Sequence, residues 1–511
     1  MESYIGMIDL GSNTARLVVY HQDNQGLLYE IDNMKRTLRL SNYLHDGYLA
    51  KEGIDQTLSV MRQFRSLLEA RQVKHVVGVA TAAVRQARNG LTLLKEIEHE
   101  TGISIRLLSG EQEARYGFLA VASSMNLEEG ITIDIGGGST EITYFTDRRL
   151  QECISLPFGV VTLSKQFLQH DPPTSEELEQ LRAYVAEQLA ACPWIWSKRC
   201  PVVAIGGTAR NLAKIHQRQI HYSMASLHHY TMSAAQVDEM LELTGSLPLE
   251  QRKQLPGLSK DRADVIIPGI IVFEQLLKSA AGTRLLISNK GLRDGLLHEK
   301  AGHNEHVPAA RTVRQTSIEQ FMTRYQMNRL HAFHVRHLAS SLFDHLNQLN
   351  LIDLGSEEKD WLEAAALLHD IGRSINVYES SQHTFYLLSH VLLPGFSHRE
   401  RLLIAMISSY KNSKQLQAQL SRHSDIVDKS DKKMIELLGY IILLARALDR
   451  SMTQQIQNVL LRMNGENLVL ECVGTKKELI EYSLLQEVLV KMSKLLKRPV
   501  TYLAIQNPAK D

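Results

Sequence analysis

A chain of 511 residues with 57 Lys+Arg against 56 Asp+Glu carries a net charge of only +1, so any polyanionic partner has to be met by a local patch and not by a global field. That length predicts three or four domains, each with its own core, and argues against a single compact body. The cysteines Cys153, Cys192, Cys200 and Cys472 form no CxxC pair, Met1-Glu2-Ser3-Tyr4 lacks the basic and apolar regions of a signal peptide, and the richest apolar run (440–447) is far short of the ~18 residues of a membrane span; a reducing, cytoplasmic setting without membrane span is expected.

Residues 4–9 read as a strand ending in Asp9, Gly11-Ser12-Asn13-Thr14 as a turn, and 15–21 as a returning β-rich run. A helix (51–72) and a strand (75–80) lead into Thr81-Ala82-Ala83-Val84-Arg85. Threonine and small residues after a strand suit a helix start, whose free N–H groups favour an anion; Arg85 either adds a charged fork there or is a solvated surface residue. A second helix (90–101) and strand (104–108) precede Ser109-Gly110-Glu111-Gln112-Glu113. Ser109 suits a helix cap, and Glu111 and Glu113 in the first turn complement the helix dipole.

The chain is organised around Ile133-Asp134-Ile135-Gly136-Gly137-Gly138-Ser139-Thr140-Glu141. Glycines permit close backbone approach, successive N–H groups make an anion nest, and Asp134 suits the divalent cation that a phosphate brings. The same acidic-then-glycine logic at Asp9 to Thr14 lies about 125 residues earlier, so the two are either unrelated hairpins or the facing walls of a duplicated fold around phosphate. Pro157-Phe158-Gly159 opens another turn, 176–191 reads as an amphipathic helix, and a strand at 202–205 ends in Gly206-Gly207-Thr208-Ala209-Arg210-Asn211, a third phosphate-type turn. A strand at 285–288 and the turn Gly291-Leu292-Arg293-Asp294-Gly295 follow. Strand, glycine turn and helix alternate to about residue 300, which predicts α/β, and the polar, aperiodic 302–311 reads as a linker.

Beyond it, helical periodicity at 316–349, 356–368, 398–409 and 432–452 predicts a mainly α half containing His334, His337, His369-Asp370, His383 and His390. A His-Asp dyad at a helix end is the core of metal-binding HD-type phosphohydrolases. A strand (468–472), a helix with a modest basic face (477–496) and a strand (500–504) close the chain.

Carried by Asp9-Leu10-Gly11-Ser12-Asn13-Thr14-Ala15-Arg16-Leu17, Ala80-Thr81-Ala82-Ala83-Val84-Arg85-Gln86-Ala87-Arg88-Asn89, Ser109-Gly110-Glu111-Gln112-Glu113-Ala114-Arg115 and Asp134 to Glu141, in that order, the chain resembles the exopolyphosphatase/guanosine pentaphosphate phosphohydrolase family in its longer, HD-like form. The resemblance implies duplicated actin-like α/β domains at 1–124 and 125–301, an HD-like helical domain at 311–455 and a small α+β domain at 456–511. It implies an active site between the first two, where Gly11, Ser12, Asn13, Gly136, Gly137, Gly138, Ser139 and Thr140 hold the phosphoryl group, with Gly206, Gly207 and Thr208 in the same set. Arg85 would neutralise developing charge, Glu113 would be the general base for water with Glu141 as the second choice, and magnesium would sit on Asp134, with Asp9 and Glu141 as direct or water-mediated ligands.

The implied activity is release of orthophosphate from the end of inorganic polyphosphate. Guanosine pentaphosphate hydrolysis is the alternative; an actin-fold kinase and a non-catalytic polyphosphate or (p)ppGpp sensor are the others. The resemblance also implies a homodimer and (p)ppGpp as a candidate inhibitor, and no nucleic-acid partner. Two departures stand out. Thr162 occupies the place of a family arginine, and Arg446 replaces the late metal-ligating aspartate that His334 and His369-Asp370 would need, which argues for a degenerate HD site. The doublet His228-His229, His383 and His390 read as structural or surface residues.

Overall fold

The computed structural model describes residues 3–24, 26–300, 310–474 and 480–506. The chain divides into two compact units: Met1–Tyr222 with Leu227–Val313, and Ser223–Ser226 with Arg314–Asp511.

The first unit begins with an antiparallel meander, β1 (Ser3–Leu10), β2 (Thr14–Gln22) and β3 (Leu28–Thr37), followed by the short ribbon β4 (Leu44–His45) and β5 (Tyr48–Leu49). The strands β6 (His75–Ala80) and β7 (Ile105–Leu107) then add in parallel beside β1, giving the order β3-β2-β1-β6-β7. The side chains of Ile8, Leu10 and Leu17 bury against Met61, Phe64, Leu93 and Ile97, so the helices Lys51–Ala70 and Gly90–Thr101 close one face.

A second meander, β8 (Gly130–Ile135), β9 (Thr140–Thr146) and β10 (Arg149–Leu156), starts another sheet, which β11 (Val202–Ile205), β12 (Tyr230–Met232) and β13 (Leu285–Ile287) complete in the order β10-β9-β8-β11-β13-β12. Here β11 runs parallel to β8, β13 runs parallel to β11, and β12 is an antiparallel edge. Every residue of β11 is buried, as its unbroken Val-Val-Ala-Ile run demands of a parallel strand covered on both faces. The strand order of the first sheet thus recurs in the second, with one extra edge strand. In both sheets the first hairpin carries an acidic-then-glycine turn at the end of a strand that pairs with parallel neighbours.

The second unit is mainly helical. The expected helix at 316–349 is two, Ala310–Arg324 and Arg329–Gln348, because the Asn328 side chain accepts from the His331 amide and caps a new start. The helices Ser356–Leu368, Ser380–His390, His398–Ser408, Ser413–Arg422 and Lys432–Leu448 follow. A sheet β14 (Ile456–Asn464), β15 (Asn467–Gly474) and β16 (Val500–Gln506) ends the chain, with the helix Ile480–Leu496 crossing between the parallel β15 and β16. Sequence reading missed β14, whose outward positions Gln457, Asn458, Arg462 and Asn464 dilute its apolar signal. The expected linker at 302–311 lies outside the described residues except for its last two positions, which are helical. His228 and His229 are buried, not surface residues. No helix among the described residues is long and apolar enough to cross a membrane.

Candidate active site

The two glycine turns of the first unit meet. A methyl group built on Gly137 would come within 3.1 Å of Ser12 Cβ, and one on Gly138 within 3.5 Å of Ser12 Oγ. In each turn the carbonyls are taken from outside. The Ser12 carbonyl accepts from the Ser41 amide, and the Asn13 carbonyl from the amides of Leu38 and Arg39. The carbonyls of Gly136 and Gly137 accept from the amides of Val160 and Val161, and that of Gly138 from Gln86 Nε2 at 3.1 Å. With its acceptors so engaged, the turn offers N–H groups as its remaining polar edge, which is the requirement for an anion nest. Gly159 makes this packing possible, since a Cβ there would lie 2.5 Å from the Gly136 carbonyl oxygen and 2.6 Å from the Gly138 nitrogen.

Beside the turns, the helix Ala82–Gln86 presents Arg85 and the helix Gly110–Ala122 presents Glu113. The second helix starts where the sequence indicates: Ser109 accepts from the Gln112 amide and Gln112 Oε1 accepts from the Ser109 amide. Arg85 Nη1 donates to the Leu108 carbonyl at 2.9 Å and to Glu113 Oε2 at 3.1 Å, while Nη2 stands 3.9 Å from Glu141 Oε1. Glu141, on β9, accepts from Ser155 Oγ on the neighbouring β10 at 2.8 Å. Burial raises the pKa of Glu113 well above the carboxylate range, Glu141 adds to the rise, and Arg85 opposes it. Burial likewise pushes Glu141 up to about 7, against hydrogen bonds from Ser139 and Ser155.

At the strand ends, burial raises Asp9 and takes Asp134 up to about 6, and the charge of Asp9 adds to the rise at Asp134. Arginines oppose both shifts: Arg293 and Arg16 act on Asp9, Arg210 and Arg262 on Asp134. Gly206 has φ +90, and a Cβ on it would sit 2.5 Å from Asp134 Oδ1; a Cβ on Gly207 would sit 2.7 Å from Arg262 Nη2. The third glycine turn is therefore a floor for Asp134 and Arg262. Sequence reading assigns Arg16, Arg210, Arg262 and Arg293 no individual role. Arg262 follows no glycine or cap motif, so only the fold brings it to Asp134.

Some expected roles do not match the geometry. The Thr140 hydroxyl is committed to the Phe158 carbonyl at 2.8 Å and is not presented to a phosphate, whereas Thr208 packs its methyl group against Gly269 of the helix Ile266–Ala280 and leaves its buried hydroxyl without a hydrogen-bond partner. Ser12 Oγ accepts from the Ala83 amide at 3.0 Å, holding the turn on the helix start at Thr81-Ala82. Thr162, in the place of the family arginine, closes its own helix start by accepting from the Gly159 amide at 2.8 Å. Asp9, Asp134 and Glu141 do not converge as one ligand set, because Glu141 turns to Ser155 and Arg85; among the described residues the set that does converge is His331, His369 and Asp370 in the second unit. The histidine that the helix Arg329–Gln348 brings to this cluster is His331, not His334, whose Nε2 donates to the Ile456 carbonyl. Arg446 bonds Asp370 at 3.2 Å.

Residues 18–304 match the model of the Ppx/GppA phosphatase family, and residues 313–490 that of Ppx/GppA phosphatase domain III. The chain belongs to the Ppx/GppA phosphatase family. It is 30% identical over 303 residues to Exopolyphosphatase 1 of Mycobacterium bovis, covering 58% of this chain and 88% of that protein. The crystal structure of the Aquifex aeolicus family member is 30% identical, with a TM-score of 0.53 over 60% of this chain and all of that one. An exopolyphosphatase from Cytophaga hutchinsonii shares the fold at 24% identity, with a TM-score of 0.55 over 59% of this chain and 98% of that one. The fold of the matched part is actin-like, and the carboxy-terminal half of this family member is largely helical.

Proposed function

We propose that the chain is an exopolyphosphatase, which hydrolyses the terminal phosphoanhydride of linear inorganic polyphosphate and releases orthophosphate. The observation that carries this reading is the meeting of two donor-rich glycine turns beside an Arg85–Glu113 pair, in a chain related to Exopolyphosphatase 1 of Mycobacterium bovis.

The terminal phosphoryl group lies between the amides of Ser12 and Asn13 and those of Gly137, Gly138 and Ser139, with the Asn13 side chain as a further donor; the Gly11 and Gly136 amides instead close their turns on Thr14 and Ser139, and the Ser139 hydroxyl bonds Glu141. Arg85, held by Leu108 and Glu113, faces the charge that grows on the departing phosphate. Glu113 orients the attacking water and takes its proton. Its raised pKa makes it a better base near neutrality than a solvated carboxylate, and a phosphate chain close by raises it further. Glu141 is the alternative base and, in this geometry, the neighbour whose charge tunes Glu113.

The donor set suits a hard divalent cation. Asp9 and Asp134 are carboxylates whose pKa values burial raises against opposing arginine charges, and a divalent cation beside them would favour their ionised forms. Magnesium would be held by Asp134 with Asp9, and by Glu141 only through water. When bound it supplies charge neutralisation to the phosphate oxygens.

Beyond the terminal phosphate, Asn13 opens onto a cavity of about 150 Å³ that also takes in Arg39 and Lys165. Asp261 and Asp264 share that lining and Arg39 pairs with Asp264 at 3.2 Å, so the grip on the next phosphate that Thr162 does not supply falls chiefly to Lys165. The two matching sheets represent a duplicated domain, with boundaries at 1–124 and 125–301; 311–455 is an HD-like domain and 456–511 a small α+β domain. The four free thiols fit a cytoplasmic setting. Homodimerisation and inhibition by (p)ppGpp rest on the family resemblance.

Guanosine pentaphosphate carries the same terminal bond, and no observation favours it over polyphosphate. Initial rates of phosphate release with magnesium on long-chain polyphosphate and on guanosine pentaphosphate test the reading. Polyphosphate should be the faster substrate; a clear preference for the nucleotide would overturn it, and release from neither would leave a binding protein.

A further inference from the structure

In the helical unit three Lewis-basic atoms converge without satisfying one another. His369 follows the helix Ser356–Leu368 and is 2% exposed. Its Nδ1 lies 2.7 Å from the Ala366 carbonyl, which can only accept, so Nδ1 carries the proton and Nε2 is a bare lone pair. That Nε2 is buried with no hydrogen-bond partner. His331 is held in the same sense. Its Nδ1 donates to Asp449 Oδ2 at 2.8 Å, and Asp449 is itself fully buried and fixed by the Gln454 amide at 2.8 Å. The His331 Nε2 then faces inward, toward Asp370. Between the two imidazoles stands the Asp370 carboxylate, 3.6 Å from His369 Nε2 and 4.0 Å from His331 Nε2, too far for hydrogen bonds.

The two Nε2 atoms and an Asp370 oxygen all lie within 4.8 Å of one another, a spacing at which one cation can bind all three. All three residues line a cavity of about 680 Å³, which also takes in Arg324, Arg373 and Met452.

We propose that His331 Nε2, His369 Nε2 and Asp370 hold a divalent first-row transition metal, with Asp449 as the group that orients His331 and with the remaining coordination positions open to the cavity. Two imidazoles and one carboxylate are the donor set that such metals prefer over magnesium. Ligand atoms about 2.1 Å from a metal lie roughly 3.0–3.5 Å apart, so the site needs only a small contraction. A ligating histidine that donates its Nδ1–H to an aspartate behind it is the usual arrangement for fixing its tautomer.

Arg446 is the feature that argued against a metal, and its position changes the argument. It bonds Asp370 Oδ1 at 3.2 Å, and Arg373 bonds Oδ2 at 3.2 Å, so both guanidiniums act on the carboxylate. With Asp370 and Asp449 offset by these two guanidiniums, the bound metal leaves a net positive site. Its open positions therefore suit an oxyanion such as a phosphoryl group.

The test uses the full chain, stripped of metal and then equilibrated with Co²⁺ in excess Mg²⁺, so that the hard oxygen site of the first unit is filled. About one Co²⁺ per chain should remain after desalting, with visible d–d absorption. His369→Gln should abolish the bands, and Asp449→Asn should weaken binding by about 10–100-fold. Arg446→Asp, which adds a carboxylate as a fourth ligand, should tighten it at least tenfold. If His369→Gln does not fold, judged by thermal melting, the other two variants decide. Failure of the wild-type chain to hold cobalt, manganese, iron or zinc overturns the proposal, and so does cobalt binding insensitive to all three substitutions.

Discussion

Replacing Glu113 with glutamine separates its chemistry from its structural role. The amide keeps an oxygen to accept from Arg85 Nη1, which Glu113 Oε2 now does at 3.1 Å, and Arg85 stays tethered to the Leu108 carbonyl at 2.9 Å. What disappears is the ability to take a proton from water. General-base catalysis is worth about 10²–10⁴ in rate, or roughly 3–5 kcal/mol of transition-state stabilisation. Folding should not suffer. A carboxylate whose pKa is raised in the folded state withdraws stability as pH climbs from 4.5 through the raised value, so Glu113→Gln should melt no lower than wild type at pH 8 and show no gain at pH 4. Phosphate release at saturating polyphosphate and magnesium, equilibrium polyphosphate binding and thermal melts read the three quantities. Turnover within about fivefold of wild type refutes the assignment of the base, as does a loss of activity that tracks a loss of substrate binding or of melting temperature.

The same argument extends to three other measurements. In the wild type, kcat/KM should fall on the acid side through a pKa well above 4.5, because Glu113 must be ionised to act; a pH profile flat down to pH 5 would contradict this. Asp134→Asn should abolish turnover and the melting shift caused by magnesium. In chelator-stripped protein it should add on the order of 3 kcal/mol of stability above pH 6, with no gain below 3.8, since Asp134 is raised from 3.8 to about 6. Gly159→Ala drives a Cβ to 2.5 Å from the Gly136 carbonyl oxygen, so it should cost about 1–3 kcal/mol in denaturation and raise KM for polyphosphate; a variant with unchanged melting and KM would show that the turn does not rest on Gly159.

The glycine turns were legible because their chemistry is local. Gly136 to Ser139 follows a β-branched strand and Gly11 to Asn13 repeats it, and the closing bonds, Gly11 amide to Thr14 carbonyl and Gly136 amide to Ser139 carbonyl, are short-range. The start of the helix Gly110–Ala122 was equally readable from Ser109 and Gln112. Which hydroxyls face the ligand was not, because Thr140 and Ser12 chose partners at Phe158 and Ala83 that no spacing announces. In the helical unit, His331 and His334 are three residues apart on one helix, and the rotation of that helix alone decides which of them meets His369.

By itself the sequence determined the phosphate turns, their glycines, the alternation of strands and helices through the first unit and the presence of a His-Asp dyad. Each depends on φ, ψ and hydrogen-bond preferences of neighbouring residues. Tertiary structure alone decided that Gly137 rests on Ser12, that Arg262 lies over Gly207 beside Asp134, that Glu141 turns to Ser155, and that Asp449 rather than residue 446 stands behind His331. Those outcomes depend on sheet register and helix packing between segments far apart in the chain, where a one-residue shift in a strand or a fraction of a turn in a helix exchanges one side chain for its neighbour.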